Sequence, residues 1–218
     1  MENCWYRLSI IFCVAAVVSG TVVSSSPSDQ TETKTILFFG DSLTAGFGID
    51  PDLAFPALIQ KKIDALGWNF TVINAGLSGE TTAGGVRRID WVLQRKIDLL
   101  FLELGGNDGL RGIDLGSTKA NLQKIIDRTR AIYPEVPVVL AGMQIPPNMG
   151  SEYIQEFKSI YPELAAENQI VLLPFLLKDV GGIKQLNLAD GIHPTPEGHK
   201  IVAESVWEIM RPLLAEMN

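Results

Sequence analysis

From Lys34 onward, short apolar runs rich in β-branched and aromatic residues alternate with amphipathic helical segments, and few architectures accept that alternation. The runs are Thr35 to Phe39, Phe70 to Asn74, Leu99 to Leu104, Val138 to Gly142 and Ile170 to Leu173. Nearly every residue in them is apolar, which suits strands covered on both faces. Between them Phe55, Leu58, Ile59 and Ile63 recur at helical spacing, as do Leu122, Ile125, Ile126 and Thr129, then Phe157, Ile160, Tyr161 and Leu164. A last helix carries Ile201, Val202, Val206, Ile209, Met210 and Leu213, with Pro194 and Pro196 marking its start. The pattern predicts a single α/β domain over residues 34–218, a five-stranded parallel sheet between two layers of helices. The chain shows neither an internal repeat nor a second-domain boundary.

The first residues follow another pattern. A short polar start containing Arg7 leads into an apolar run from Leu8 to Val18, and Val18-Ser19-Gly20 offers a small-residue cleavage site. Even Leu8 to Val23 is shorter than the ~20 residues a spanning helix needs. Residues 1–20 are therefore expected to be a cleaved signal peptide with no stable membrane anchor left behind, the mature protein being periplasmic or secreted. Residues 21–33, rich in Ser and Thr, read as a flexible linker. Both cysteines, Cys4 and Cys13, fall in the leader, so disulfides and thiolate metal sites are not expected to hold the mature chain together. The net charge of −7 repels polyanions and argues against nucleic acid and anionic membranes as partners. A small molecule and a monomeric protein are the expectation.

Ligands of open α/β sheets bind beyond the carboxyl ends of the strands. Three strands here run into unusual polar loops: Gly40-Asp41-Ser42-Leu43-Thr44-Ala45-Gly46, then Asn74-Ala75-Gly76-Leu77-Ser78-Gly79-Glu80-Thr81, then Gly105-Gly106-Asn107-Asp108-Gly109. All three should meet at one edge of the sheet. Acyl transfer needs a nucleophile, a base, an orienting acid and donors for the oxyanion. With only two histidines in the chain the search for a base is short. His193 lies in a loop three residues after Asp190, whereas His199 falls inside the predicted last helix. Taken singly, Ser42 and Asp190 read equally well as helix caps, and His193 as a loop histidine bonded to backbone.

Together these segments resemble, in order and context, the sequence blocks of the SGNH (GDSL) hydrolase family. Gly40-Asp41-Ser42-Leu43 resembles the nucleophile block, Gly79 the glycine block, Gly105-Gly106-Asn107-Asp108 the asparagine block, and Asp190 to His193 the closing block. The likeness runs from about Ile36 to Leu214. Leu102 to Gly112 and Ala189 to Pro194 are similar to the periplasmic thioesterase, lysophospholipase and arylesterase branch. The resemblance implies a flavodoxin-like three-layer α/β/α sandwich and a serine esterase that cleaves esters or thioesters without a cofactor. It implies Ser42 as nucleophile, His193 as general base and then acid, and Asp190 as the residue that orients the imidazole. The oxyanion hole would be the amides of Ser42 and Gly79 with the side-chain amide of Asn107. Asp41, Asp108 and Asn74 are expected to bond backbone nearby, while Leu110, Ile145, Pro147 and Ile192 are candidates for the substrate-binding lining.

Four other readings compete. A non-enzymatic flavodoxin-like binding module lacks its signature, since neither GxxxxGK[ST] nor GxGxxG follows a strand. An α/β-hydrolase would need a G-x-S-x-G elbow, which does not occur. A metal held by Asp190, His193 and His199 would have too few ligands of the usual type. A carbohydrate O-deacetylase of the same superfamily would share every residue named above.

Overall fold

A computed structural model describes residues 1–2 and 32–218. Most of the leader and most of the linker read from the sequence, residues 3–31, lie outside the described residues. Glu32 and Thr33, the end of that linker, already bond to Lys96 Nζ and Asn69 Oδ1.

Five strands, β1 (Lys34–Gly40), β2 (Phe70–Gly76), β3 (Leu99–Glu103), β4 (Val138–Ala141) and β5 (Val171–Leu173), form one parallel sheet in the order β2-β1-β3-β4-β5. That is the doubly wound order whose direction of winding reverses between β1 and β3. The register aligns Gly40 with Gly76 on one side and Glu103 on the other, so three loops leave the sheet side by side. β3 and β4 are buried throughout, whereas the edge strands β2 and β5 are only partly covered.

Successive side chains of a strand face opposite ways. On β1, Phe38 packs against Phe55 of α2 (Phe55–Ala65), while Phe39 lies under Arg88 of α3 (Thr82–Val92). Helices α2 and α3 therefore cover opposite faces. α7 (Pro196–Met217) packs beside α2, and α5 (Leu115–Ile132) lies between α3 and α6 (Ser151–Asn168). Two short helices, α1 (Ser42–Ala45) and α4 (Gly106–Leu110), open the loops after β1 and β3.

The periodic stripes of α2, α5, α6 and α7 supply most of the helical core, with Ile59, Ile63, Leu122, Ile125, Ile126, Phe157, Leu164, Val206 and Met210 all buried. α3 was not legible from periodicity, because Gly84, Gly85, Arg87 and Arg88 interrupt its apolar pattern. Gly85 is there for contact: a Cβ would stand 2.5 Å from Leu104 Cδ1 and 3.3 Å from Phe39. The last helix starts at Pro196, capped by Thr195, whose hydroxyl accepts from Gly198 N; Asp190 is not its cap.

His199 on α7 is almost wholly buried, stacked on Phe55, and its Nδ1 accepts the Phe55 amide. Burial, helped by the charge of His193, lowers its pKa to about 4. An imidazole neutral when folded but protonated when unfolded costs stability as pH falls from the ordinary histidine range toward that value. Unfolding free energy should lose ~2 kcal/mol from this group between pH ~7 and ~5. A His199→Gln variant, whose amide oxygen can still accept from Phe55, should show a correspondingly flatter urea stability profile. Equal slopes for the two proteins would reject the assignment.

Candidate active site

The first loop is shaped by what its glycine leaves out. A Cβ on Gly40 would stand 2.1 Å from Thr44 Oγ1 and 2.6 Å from Glu103 Oε2, so only glycine lets the chain turn from β1 into α1 there. Asp41 caps that turn by accepting from Leu43 N at 3.0 Å, and Asn74 Nδ2 donates to Thr44 O. Ser42 is thereby held at the first position of α1, with 9% of its surface exposed.

Its Oγ lies 2.9 Å from His193 Nε2, and His193 Nδ1 lies 2.7 Å from Asp190 Oδ2. The two partners come from a loop 151 residues away in sequence, tied down where Leu188 N donates to His193 O and where Asn187 bridges to Pro194. Asp190 Oδ1 accepts from the amides of Ile192 and His193 at 2.9 and 3.0 Å. Partial burial works to raise the Asp190 pKa. The amide and ring N–H of His193 and the Ile192 amide outweigh it and hold the carboxyl at about 2. The group is ionised at any working pH, a fixed negative end for the imidazole. Phe47 lies over the ring at 4.5 Å between centroids, a contact the sequence did not announce.

Asn107, on α4, donates from Nδ2 to Asp41 Oδ2 at 3.0 Å. Its Oδ1 accepts from Arg111, one turn on, and the same guanidinium nitrogen donates to Gly79 O. Arg111 thus joins the loops after β2 and β3, and it fixes which end of the Asn107 amide carries the hydrogens. Its spacing of four from Asn107 is the signal that could have exposed it. Gly79 sits at φ +78°, a left-handed conformation other residues rarely adopt. Among the described residues no protein acceptor takes the amide hydrogen of Ser42 or of Gly79. Both remain available to a ligand.

The loops are braced from outside. Asp108 receives Thr82 N and Thr82 Oγ1 at 2.9 and 2.6 Å, locking the second loop to the third. Glu80 pairs with Arg88, which also donates to Ala75 O. Asp108 therefore bonds a different loop rather than its own neighbours, while Asp41 reaches Asn107 as well as local backbone.

A cavity of about 520 Å³ opens beside Ser42 and His193. Leu110, Ile145, Pro147 and Ile192 all line it. Phe175 and Leu177 line it too; they follow β5, whose loop carries none of the polar motifs although it leaves the same edge of the sheet. His199 does not join the group, and among the described residues no cluster of three or more His, Cys, Asp or Glu could hold a metal ion.

A hydroxyl hydrogen-bonded to an imidazole, itself held by an ionised carboxylate, beside backbone and amide N–H donors, is the constellation of a serine hydrolase. On a doubly wound sheet without a nucleophile elbow, it is the SGNH form of that class. The chain belongs to the GDSL-like lipase/acylhydrolase family, whose model matches residues 38–201. Esterase TesA of Pseudomonas aeruginosa is 38% identical over 92% of this chain and 99% of its own. The thioesterase 1/protease 1/lysophospholipase L1 of Escherichia coli K12 is 35% identical over 83% of this chain and 85% of its own. A crystal structure of TesA superposes with a TM-score of 0.79 at 40% identity, covering 83% of this chain and 99% of that one.

Proposed function

We propose that this protein hydrolyses carboxylic esters and thioesters through an acyl-enzyme on Ser42. The observation that carries the reading is the unbroken relay from Ser42 Oγ through His193 to Asp190, at 2.9 and 2.7 Å, opening onto an apolar-walled cavity. His193 takes the serine proton as Oγ attacks the carbonyl carbon, and passes it to the departing alcohol or thiol. A water, deprotonated by the same imidazole, then cleaves the acyl-enzyme. The amides of Ser42 and Gly79 and the Asn107 side chain supply the donors for the oxyanion. Because the base must be neutral to take the serine proton, protonating it stops the reaction.

The cavity wall favours an acyl chain over acetate. Each methylene moved from water onto apolar surface contributes ~0.8 kcal/mol, or about fourfold in kcat/KM if the gain persists in the transition state. On p-nitrophenyl esters of increasing length kcat/KM should climb at about that rate until the cavity fills. A maximum at acetate would instead support the O-deacetylase reading. The name carried by the Escherichia coli relative supports including thioesters and lysophospholipids among the substrates to try.

The domain division belongs to the same proposal: residues 1–20 direct export, 21–33 tether, and 34–218 carry the hydrolase to the periplasm or medium as a monomer. The apolar run from Leu8 to Val18 and the small residues after it support this. No helix among the described residues is long and apolar enough to cross a membrane.

A further inference from the structure

Beneath the site lies a second acidic group that the proposed chemistry does not use. Glu103 ends β3 with none of its surface exposed, directly opposite Gly40 in the register. Its Oε2 accepts from the Asp41 amide at 3.1 Å and from Thr44 Oγ1 at 2.8 Å. Its Oε1 has no N–H or hydroxyl donor among the described residues. Beside it is Asp41, itself 2% exposed and joined to Glu103 Oε2 through its own amide. Two ionised carboxylates in contact in a closed interior repel strongly, and an unpaired carboxylate oxygen there costs its full desolvation. One proton between them removes both penalties.

We propose that Glu103 is a neutral carboxylic acid that donates its proton to the ionised Asp41 carboxylate, and that Asp41, so held, positions the Asn107 amide for the oxyanion. Glu103 is a positioning residue in this scheme, acting two hydrogen bonds away from the reacting atoms. The proposal rests on the serine-esterase reading for its effect on rate, though the location of the proton does not. Burial, then the charge of Asp41, pushes Glu103 well above the carboxylate range, against the pull of the Thr44 hydroxyl. Asp41 is raised only to about 6, because bonds from Leu43, Glu103 and Asn107 and the charge of His193 oppose its burial. Between the two the proton belongs on Glu103. The other titratable group against the pair is Tyr161 of α6, whose phenol is pushed well above its usual value by burial and by Glu103, Asp108 and Asp41, so it stays neutral.

The arrangement explains why an acid stands where a hydrocarbon would bury more cheaply. Asp41 Oδ1 is committed to Leu43 N and Oδ2 to Asn107. A donor from below keeps that carboxylate charged without exposing it to water, and a charged acceptor grips the Asn107 amide more firmly than a neutral one. The second Asn107 hydrogen is then aimed by a bond fixed at the other end.

Glu103→Gln and Glu103→Leu test this. Glutamine keeps a neutral donor for Asp41 and an oxygen for Thr44, so Glu103→Gln should retain kcat within about threefold. Glu103→Leu should lose ~10-fold to ~100-fold in kcat with KM little changed, because a loosened oxyanion donor is missed only in the transition state. At pH ~8 the wild type should show the infrared carbonyl stretch of a protonated carboxylic acid, absent from Glu103→Gln. The thermal midpoint of Glu103→Gln should also exceed that of wild type by an amount that grows as pH rises above the unfolded glutamate range. There the unfolded wild type releases a proton that the folded one keeps. No such band, or a pH-independent increment, overturns the proposal, as does equal loss of kcat in both variants or undiminished kcat in Glu103→Leu. An inactive wild type would refute the esterase reading alone, since the infrared band and the stability increment need no substrate.

Discussion

Ser42→Ala is expected to lower kcat on its best ester by ~10⁴-fold or more, with the fold and substrate affinity kept. Among the described residues the hydroxyl makes one hydrogen bond, to His193 Nε2, so its removal leaves the loop's other supports in place. His193→Ala should fall to nearly the same floor, since a serine without its base is a weak nucleophile. The sharper test is the double variant. Groups that act as a unit do not lose activity multiplicatively, so Ser42→Ala with His193→Ala should be no worse than either alone. The floor itself should stay above the uncatalysed rate, because both variants keep the proposed oxyanion donors, the amides of Ser42 and Gly79 and the Asn107 side chain. Steady-state kinetics on one purified chromogenic ester settles the matter. A His193→Ala enzyme retaining a tenth of wild-type rate would place the base elsewhere, and multiplicative losses would mean the two side chains act independently.

Much of this architecture can be read in the sequence because burial on both faces leaves little freedom of composition. Ile36 to Phe39 and Leu99 to Leu102 are apolar without exception, and no partly solvated strand needs that. The helices that announce themselves, α2, α5, α6 and α7, lay one apolar stripe on the sheet. α3 stays hidden since it approaches the sheet through Gly85 and carries Arg88 inward, where the guanidinium lies 4.2 Å from the Phe39 ring and pairs with buried Glu80. A charged residue on the inner face of a helix defeats any reading based on hydrophobic period.

The site divides in the same way. Ser42, Asn107, Asp190 and His193, the residues of the proposed chemistry, can be picked out because such chemistry dictates their residue types and their neighbours follow from tight turns. Arg111, Phe47 and Glu103 are not, because what they do depends on which loops the sheet order places side by side. Gly40 and Glu103 lie 63 positions apart in sequence yet pair in register, and only that register brings an acid beneath the nucleophile loop. A glutamate near the end of an apolar strand otherwise looks like the first residue of a solvated loop.

Asp190→Asn should be almost as damaging as loss of the histidine, for a reason specific to this loop. Asp190 Oδ1 already accepts two backbone amides, from Ile192 and His193, while Oδ2 faces His193 Nδ1. An asparagine must give its single oxygen to one side. Turning it toward the imidazole would set its NH₂ against two amide hydrogens, so the oxygen stays with the backbone and the NH₂ faces Nδ1. The imidazole then accepts at Nδ1 and carries its proton on Nε2, the nitrogen that must receive the Ser42 proton. The wrong tautomer at unchanged geometry should cost ~10⁴-fold in kcat near neutral pH. Asp190→Ala removes the orienting bond without enforcing the tautomer and should retain more activity than Asp190→Asn, although it is the larger truncation. If the alanine variant proved the slower of the two, the role of Asp190 would lie in bracing the loop through Ile192 N and His193 N rather than in choosing the proton's place on the ring.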